Sequence, residues 1–226
     1  MVELIYITGD IHRTDTERFE RLRKITTLTE NDHLIILGDF GLLWDREETA
    51  EERALKQYFD SFGCDVLWVD GNHENFDRID NLPIEEKYNG KVGVVSNRIF
   101  HLRRGEIYSI EGKTFFAFGG AESIDKRLRT EGLSWWSREM PSQAEYKRAD
   151  ENLNAHKNKV DYIITHDAPL GFYREVYNCV HPNELNKFLE ARVLDKVSFI
   201  KWFFGHHHVD EKFDKLRAMY HDIEYI

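Results

Sequence analysis

Apolar residues in this chain fall into short continuous runs separated by more polar segments. Three runs lie near the start of the chain, at residues 4–10, 33–39 and 65–72, and two similar runs lie at residues 160–167 and 198–206. Continuous apolar runs of this length are typical of strands that are buried on both faces of a sheet. We therefore predict that these five segments are buried strands.

The segments between the first three runs have helical patterns. Thr14 and Glu17 have the spacing of a capping box, which predicts a helix that begins at Thr14. Residues 46–62 predict a second helix, because apolar residues recur there every fourth position and Gly63 follows its end. Helices that alternate with continuous apolar strands indicate a parallel sheet covered on both faces. The apolar positions of the two helices are Phe19, Leu22, Ile25, Ala54, Tyr58 and Phe62.

The pattern changes in the middle of the chain. Residues 91–121 contain four short apolar runs separated by polar turns, which predicts antiparallel strands and hairpins. Further helices are predicted from Ser142, which has Glu145 at the capping-box spacing, and over residues 184–191. Residues 211–226 suggest a final hairpin.

The composition supports a globular core, since 41% of the 226 residues are hydrophobic and only four are proline, and we predict one domain over residues 1–226. The formal net charge of −10 argues against binding to duplex nucleic acid, which needs a basic surface. We expect no leader before the first strand, and we expect no membrane span, since no run reaches the ~18 apolar residues that a span needs. Because Cys64 and Cys179 do not make a disulfide framework, we expect a reduced cytoplasmic protein with structural thiols.

Polar side chains follow all five predicted strands, and a glycine precedes the first polar residue in four of the five cases. In open α/β sheets, ligands bind at the carboxyl ends of the strands. Glycine lets the backbone turn sharply or approach another group closely at such places. We therefore expect one site built from the polar residues at the strand ends, which are Asp10, His12, Asp39, Asn72, His73, His166, His206 and His208.

The chemistry of these side chains favours divalent metal ions. Aspartate, histidine and asparagine suit borderline or hard ions, and the absence of cysteine disfavours a structural zinc site. The run of three histidines at 206–208 could be an affinity tag or a chance polar turn, but its position inside the chain and the other strand ends favour a metal site. If the run is extended, alternate side chains point the same way, so His206 and His208 would face the site and His207 would point away.

Five sequence blocks, in order, resemble the calcineurin-like metallophosphoesterase family. The resemblance spans residues 10–208 and implies an α/β fold, a single four-layer α/β/β/α sandwich with two mixed central sheets, which agrees with the strand and helix pattern. The blocks are Asp10-Ile11-His12, Gly38-Asp39, Gly71-Asn72-His73-Glu74, His166 and Gly205-His206-His207-His208.

The resemblance also implies roles for the residues in these blocks. It implies two divalent ions, with Mn²⁺ or Fe²⁺ as the leading candidates and Ni²⁺, Zn²⁺ or Mg²⁺ as alternatives. His73 would act in catalysis by assisting the leaving group, and a water acidified by the two ions would attack phosphorus. One ion would be held by Asp10, His12, Asp39 and His208, and the other by Asp39, Asn72, His166 and His206.

The second block departs from the GDxxDRG pattern of many family members, because it continues as Phe40-Gly41-Leu42-Leu43-Trp44. The aspartate that would orient the catalytic histidine and the arginine that would bind phosphate are therefore missing there. Arg13 or Arg46 could supply a phosphate-binding arginine from elsewhere. We interpret Glu74 and Asp167 as partners that orient neighbouring histidines, and His207 as a packing or supporting residue rather than a ligand.

The segment 119–142 is long and irregular, and such ordered loops often carry function. Its Trp135 and Trp136 could line the substrate cleft or pack a small core under the loop. Its basic residues, Lys126, Arg127 and Arg129, could meet an anionic substrate or be solvated. The remaining histidines, which we interpret as surface or hydrogen-bonded residues, are His33, His101, His156, His181 and His221.

The leading functional hypothesis is metal-dependent hydrolysis of phosphate esters, with monoesters and diesters both open. Its substrate would be a small phosphorylated molecule, a nucleotide or a phosphoprotein, and the sequence leaves the oligomeric state open. A non-catalytic scaffold of the same fold is an alternative from another class, but such proteins usually lose metal ligands, which this chain keeps. A nuclease acting on short oligonucleotides is a third alternative.

Overall fold

The computed structural model describes residues 3–177 and 182–226. Three of the predicted apolar runs form the centre of a seven-stranded sheet: β1 (Ile5–Thr8), β2 (His33–Ile36) and β3 (Asp65–Trp68). All their residues are buried, and the three strands pair in parallel, with Ile5 opposite His33 and His33 opposite Asp65. Since parallel strands run in the same direction, their carboxyl ends lie along one edge.

Four further strands complete this first sheet. They are β4 (Ile84–Lys87), β5 (Gly90–Val94), β6 (Ile99–Leu102) and β13 (Ile223–Tyr225), and the order across the sheet is β13-β1-β2-β3-β6-β5-β4. Strand β6 pairs in parallel with β3, whereas β5 and β13 run antiparallel to their neighbours β6 and β1. The sheet is therefore mixed.

The second sheet has six strands. They are β7 (Ile107–Ile110), β8 (Lys113–Phe118), β9 (Tyr162–Thr165), β10 (Lys201–Phe204), β11 (Glu211–Phe213) and β12 (Leu216–Ala218). The order across the sheet is β11-β12-β10-β9-β8-β7. Its four central strands, β12, β10, β9 and β8, are parallel, and the edge strands β11 and β7 are antiparallel to their neighbours.

Six α-helices lie in the described part of the chain. Short 3₁₀ turns at Lys126–Leu128 and Ser137–Glu139 interrupt the long loop before the fourth helix, and a π-helical stretch, Leu189–Leu194, follows the sixth. The helices are α1 (Glu17–Ile25), α2 (Ala50–Asp60), α3 (Phe76–Ile79), α4 (Gln143–Ala155), α5 (Leu170–Tyr177) and α6 (Glu184–Phe188).

Three buried clusters define the layers of the fold. One lies between the two sheets and joins Ile7 and Leu67 of the first sheet to Phe115 and Phe203 of the second. A second covers the other face of the first sheet with α1 and α2, and a third covers the other face of the second sheet with α4, α5 and α6. The predicted four-layer α/β/β/α sandwich with two mixed sheets is confirmed, while the assignment of one domain remains a prediction.

Several predicted element boundaries were wrong. Helix α1 begins at Glu17, and Thr14 instead lies in a turn where its N–H donates to the carbonyl of His12. Ile25, an apolar position of the predicted helix, is 83% exposed at the end of α1. Helix α2 begins four residues later than predicted, because the Thr49 side chain accepts the N–H of Glu52 and caps it there. The capping box of Ser142 and Glu145 is present as predicted.

The strands of the middle and the tail pair differently from the prediction. Of the four runs in 91–121, β6 and β8 each have a parallel neighbour as well as an antiparallel one. The exposed strand Ile84–Lys87 was not predicted, because its sequence is polar and its turn, Tyr88-Asn89, lacks the usual glycine. In the tail, β11 and β12 form the predicted hairpin, but β13 crosses to the first sheet.

The buried thiol of Cys64 is free, and burial raises its pKa to about 12, which suits a structural cysteine. Cys179 and His181 lie outside the described residues. Every helix within residues 3–177 and 182–226 is too short or too polar to cross a lipid bilayer.

Candidate metal centre

The polar residues at the five strand ends converge where the two sheets meet. Strands β1, β2 and β3 are neighbours in the first sheet, and β9 and β10 are neighbours in the second. The imidazole of His166, after β9, donates from Nδ1 to the carbonyl oxygen of Leu37, after β2, at 2.7 Å. The backbone N–H of His206, after β10, donates to Oδ1 of Asp10, after β1, at 2.9 Å. The edge of one sheet thus faces the edge of the other.

A first group of candidate ligands consists of Asp10, His12 and His208, whose ligand atoms all lie within 4.8 Å of one another. Nε2 of His208 is 3.1 Å from Nε2 of His12 and 3.1 Å from Oδ2 of Asp10. Atoms bound to one ion at ~2.1 Å lie roughly 3 Å apart. The spacing of this group therefore fits a shared ion.

A second group consists of Asp39, His166 and His206, under the same distance limit. Nε2 of His166 lies 3.4 Å from Oδ1 of Asp39 and 3.3 Å from Oδ1 of Asn72. Because Nδ1 of His166 donates to a backbone carbonyl, Nε2 is the nitrogen left to bind an ion. Asn72 thus joins the second group through its amide oxygen.

Asp39 lies between the two groups. Its Oδ1 faces His166, and its Oδ2 is 3.7 Å from Nε2 of His12 in the first group. One carboxylate can therefore serve both groups, which is the arrangement expected for two ions held close together.

The seven residues fit a pair of cations. Oδ2 of Asp10 is buried and makes no well-aligned hydrogen bond in the described chain, although Nε2 of His208 lies 3.1 Å away. Leaving such an oxygen unpaired is costly unless a cation meets it. A Cβ added at Gly205 would lie 2.2 Å from Oδ1 of Asp10, and one added at Gly71 would lie 2.1 Å from Oδ1 of Asp39. The bare glycine backbones therefore make room for the two carboxylates.

The electrostatics of the centre favour positive charge. Burial lowers the pKa of His166, but the charges of Asp39 and Asp10 outweigh burial and raise it to about 10. Burial raises the pKa of Asp39, but His166 outweighs it and holds that pKa below its usual range. Burial lowers the pKa of His206 to about 4, so this imidazole keeps a free nitrogen lone pair at neutral pH.

The histidine run at 206–208 is not extended, so the prediction that strand alternation aims its side chains was wrong. His206 has φ 67° and His208 has φ 51°, and His12 and Asp39 also have positive φ, at 48° and 45°. Non-glycine residues in this region cost on the order of 1–3 kcal/mol each and cluster at functional sites. The left-handed backbone, rather than strand alternation, aims these four side chains.

His207 nevertheless points away from both ligand groups. Its side chain is 4% exposed, and its Nε2 lies 3.5 Å from Oδ1 of Asp167. The hydroxyl of Tyr177 is 3.2 Å from its Nδ1, and the ring of Phe172 packs 4.7 Å from it. These contacts suit a supporting residue.

His207→Ala should therefore keep both ions and most of the activity, while losing roughly 1–3 kcal/mol of stability from broken contacts. His206→Ala is the matched comparison and should lose one ion. Metal analysis and urea unfolding of the two variants measure these effects. Equal metal loss in both would contradict the assignment of His207 to the support of the site.

His73 lies beside the centre without joining either ligand group. Its backbone N–H donates to Oδ1 of Asp39 at 2.8 Å, and its ring meets that of His12 edge-on at 5.0 Å. The ring of Trp44 stacks against that of His73 at 5.8 Å. Trp44 belongs to the second sequence block, which lacks the aspartate of the GDxxDRG pattern. The Nη2 of Arg129 is 3.3 Å from Nε2 of His73. His73 thus lies between the ligand groups and the guanidinium of Arg129.

The two arginines predicted to bind phosphate have other surroundings. Arg13 donates from Nε to the carbonyl of Gly41 at 2.7 Å and pairs with Asp45 at 2.6 Å. Arg46 lines a surface cleft with Asp77. Neither is brought to His73 by a described contact, and their roles in substrate binding stay predictions.

Glu74 and Asp167 were predicted to orient histidines, and the structure corrects the first. Glu74 is fully buried and accepts the backbone N–H of Phe40 at 2.9 Å, so it holds the loop after Asp39 rather than an imidazole. Burial raises its pKa well above the usual range, with further increases from Asp39 and Asp70. Asp167 faces His207, as described above, and also accepts the hydroxyl of Tyr173 at 2.7 Å.

A buried chain of hydrogen bonds, not predicted from the sequence, fixes the amide of Asn72. Its Nδ2 donates to Oγ of Ser123 at 3.1 Å, and that hydroxyl donates to Oε2 of Glu139 at 2.6 Å. Since Nδ2 is committed to Ser123, Oδ1 is turned toward His166. No local pattern marks these residues, because Ser123 is 51 positions from Asn72.

Ser123→Ala should weaken binding of the ion at the second group roughly tenfold, since loss of an outer partner typically costs 10–100-fold in metal affinity. The physical reason is that the amide of Asn72 loses the acceptor that fixes its orientation. Calorimetric titration with Mn²⁺ measures the change. Ser96→Ala is the control, because it removes a hydroxyl that donates to Asp60, which is not a candidate ligand. Equal affinities for Ser123→Ala and the wild type would contradict this role.

The first ligand group also has supports that the sequence did not reveal. The buried guanidinium of Arg18 donates to the carbonyl of Asp10 at 2.8 Å and to Oγ1 of Thr8 at 2.9 Å. The ring of Tyr220 stacks on that of His208 at 4.4 Å and 5°. Both contacts hold residues adjacent to the strand ends in place.

The remaining described histidines have partners outside the centre, as expected. His33 lies 3.1 Å from the hydroxyl of Tyr88, and His101 lies 2.9 Å from Asp70. His156 bonds to the carbonyl of Asn152 in its own helix, and the exposed His221 lies 2.8 Å from Asp15. In the loop 119–142, Trp136 is buried and packs against Trp44, which makes it a core residue.

Comparisons with known proteins agree with this architecture. A search of curated proteins found no match. Among solved structures, the crystal structure of TT1561 of Thermus thermophilus has a similar fold, with a TM-score of 0.50 and 10% sequence identity, over 100% of this chain and 98% of that one. Residues 4–210 match the family described as calcineurin-like phosphoesterase. Because this match covers most of its length, the chain belongs to the calcineurin-like phosphoesterase family, which hydrolyses phosphate esters with the help of metal ions.

Proposed function

We propose that this protein hydrolyses phosphate esters of small phosphorylated substrates at a centre that holds two divalent ions. The observation that carries the proposal is the position of Asp39, whose two carboxylate oxygens face two separate ligand groups. The first ion would be held by Asp10, His12, Asp39 and His208. The second would be held by Asp39, Asn72, His166 and His206.

Two bound ions would supply an acidified water and an electrophilic clamp on the phosphoryl group. The chain's own residues would position the ester and manage the proton. His73 lies next to the ligand groups but outside them, and its partly buried ring is fixed by Trp44 and His12. We assign it the transfer of a proton to the leaving-group oxygen as the P–O bond breaks, since an alkoxide leaves poorly without one.

The ligand set indicates a class of divalent ions. Imidazole, carboxylate and amide groups without cysteine suit Mn²⁺ or Fe²⁺, and also Ni²⁺, Zn²⁺ or Mg²⁺. The chain's net charge of −10 disfavours duplex nucleic acid as the substrate. Nucleotides, phosphopeptides and other small esters all remain in the proposed substrate class, and a cytoplasmic location remains a prediction.

A reconstitution and hydrolysis screen tests the proposal. The purified chain is stripped of metal, reloaded with Mn²⁺, Ni²⁺, Mg²⁺ or Zn²⁺, and analysed for bound metal. We expect close to two ions per chain with the best metal. Each form is then assayed on p-nitrophenyl phosphate and bis-p-nitrophenyl phosphate, followed by nucleotides and phosphopeptides. Two bound ions without hydrolysis of any ester would favour the scaffold alternative, and failure to bind a second ion would remove the proposed mechanism.

A further inference from the structure

Arg129 is a cationic side chain whose position next to His73 calls for a function. It lies in the loop between β8 and α4, just after the 3₁₀ turn Lys126–Leu128, and its side chain is only 17% exposed. Its Nη2 is 3.3 Å from Nε2 of His73, although the two residues are 56 positions apart. The loop therefore carries a guanidinium to the edge of the candidate metal centre.

Two contacts within the loop fix the direction of this guanidinium. Its Nε lies 2.8 Å from Oδ1 of Asp125, and its Nη1 donates to the carbonyl of Ser134 at 3.3 Å. An arginine has five N–H donors in a rigid plane. The contacts to Asp125, Ser134 and His73 leave some of these donors free for another acceptor. Arg129 is thus oriented by its own loop and retains donors for a further partner.

His73 offers the guanidinium of Arg129 a single neutral acceptor. Arginine can only donate, so Nε2 of His73 must offer its lone pair to Arg129, and the bond joins a cation to a neutral acceptor. A phosphate group would place negative charge opposite the guanidinium, and it offers several oxygens that match the planar fork. A phosphate oxygen that enters between Arg129 and His73 would accept from Arg129 in place of Nε2. Nε2 would then be free to carry the proton that the proposed acid step needs.

The second block of the sequence cannot supply a phosphate-binding arginine. At the two positions where the family pattern has aspartate and arginine, this chain has Leu42 and Leu43, and both are buried in the core that covers the first sheet. Arg129 reaches His73 from a different loop, the one between β8 and α4. Arg127, two residues earlier, is exposed and gives a natural comparison.

We propose that Arg129 binds the phosphate group of the substrate, an inference that rests on the proposed hydrolysis of phosphate esters at this centre. Asp125 and Ser134 would hold its guanidinium in position, and the loop between β8 and α4 would thereby form one wall of the phosphate subsite. The ligand class is a phosphate ester or inorganic phosphate, whose non-bridging oxygens accept the N–H groups of Arg129.

Binding of inorganic phosphate to the metal-loaded chain tests this directly, without any turnover. Phosphate is titrated calorimetrically into the Mn²⁺-reconstituted wild type, Arg129→Ala and Arg127→Ala. We expect Arg129→Ala to bind phosphate roughly 10–100-fold more weakly, the usual loss for a hydrogen bond to a charged group. Arg127→Ala should stay within about twofold of the wild type, since exposed charges contribute little. Arg129→Lys, which keeps the charge but loses the fork, should fall between them.

The metal content of each variant is measured in the same samples, and all should retain the wild-type number of ions, because Arg129 touches no ligand of either group through a described hydrogen bond. A steady-state assay then separates binding from positioning. If Arg129→Ala lowers kcat but leaves phosphate affinity unchanged, Arg129 merely positions His73 and the inference is overturned. Equal weakening in Arg129→Ala and Arg127→Ala would also overturn it, since general charge would then explain the effect.

Phosphate binding by Arg129 and ester hydrolysis by the protein are distinguished by different outcomes. The wild type could bind phosphate through Arg129 but hydrolyse no ester. That result would contradict the proposed function and support the phosphate subsite. If the wild type hydrolyses esters but its phosphate affinity does not depend on Arg129, the proposed function is supported and the phosphate subsite is contradicted. A wild type that binds no phosphate at millimolar concentration would remove the subsite.

Discussion

Asp39→Asn is expected to remove both metal ions from the protein, whereas His208→Ala is expected to remove only one. The two oxygens of Asp39 face different ligand groups, with Oδ1 at 3.4 Å from His166 and Oδ2 at 3.7 Å from His12. An asparagine keeps the shape of this side chain but loses its charge and one oxygen acceptor. His208, in contrast, belongs to the first group alone.

Activity should fall with the ions. Each 1.36 kcal/mol of lost transition-state stabilisation costs tenfold in rate, and bound ions supply several kcal/mol, so Asp39→Asn should lose roughly 10³-fold or more in kcat/KM. Metal analysis after dialysis against Mn²⁺ gives the number of ions, and an ester assay gives the rate. His208→Ala should retain close to one ion per chain.

A buried aspartate elsewhere provides the control for damage to the fold. Asp32 is buried before β2 and accepts the backbone N–H groups of Leu4 at 3.0 Å and Thr29 at 2.7 Å. Asp32→Asn should lower stability through these bonds but keep two ions. Retention of one ion in Asp39→Asn would show that this carboxylate belongs to one group only and would contradict the shared-ligand arrangement.

His73→Asn should keep both ions and lose far more activity on an alkyl phosphate than on a nitrophenyl phosphate. General acid catalysis is typically worth about 10²–10⁴ in rate, and its value grows with the basicity of the leaving group. An alkoxide needs the proton, whereas p-nitrophenolate leaves readily without it. We therefore expect a loss of roughly 10²–10⁴ on the alkyl ester and less than about tenfold on the nitrophenyl ester.

The comparison uses kcat/KM at saturating metal, so that ion loss cannot imitate lost proton transfer. Asparagine is a suitable replacement because it retains a polar side chain beside Trp44 and Arg129. His156→Asn, at the exposed end of α4, is a control that should leave both rates unchanged. Equal losses on the two esters, with the ions still bound, would assign His73 to the positioning of phosphate or water instead.

The central strands were predictable because their signal is local. Each is a short apolar run buried on both faces, so the strands β1, β2, β3, β9 and β10 needed no knowledge of their neighbours. Strand β4 escaped prediction because it is polar and exposed, and its identity depends on pairing with β5. The pairing of β13 with β1 was also not predictable, since these strands lie at opposite ends of the chain and no local pattern shows which strands pair.

The candidate ligands were also predictable, because each directly follows a strand and the carboxyl ends of parallel strands share an edge. The order of the blocks along the chain then indicated the family. What the sequence could not supply was how the side chains are aimed. The positive φ of His206 and His208 accompanies the close approach of Gly205 to Asp10, a contact between opposite ends of the chain.

The amino-acid sequence by itself thus determined the buried strands, the polar residues at their ends and the family to which they belong, because burial periodicity and strand-end position are properties of neighbouring residues. Only the tertiary structure decided that Asp39 faces two ligand groups, that Ser123 and Glu139 orient Asn72, and that Arg129 reaches His73. The physical reason is that these contacts join segments far apart in the sequence, whose approach is set by how the two sheets and the long loop pack together.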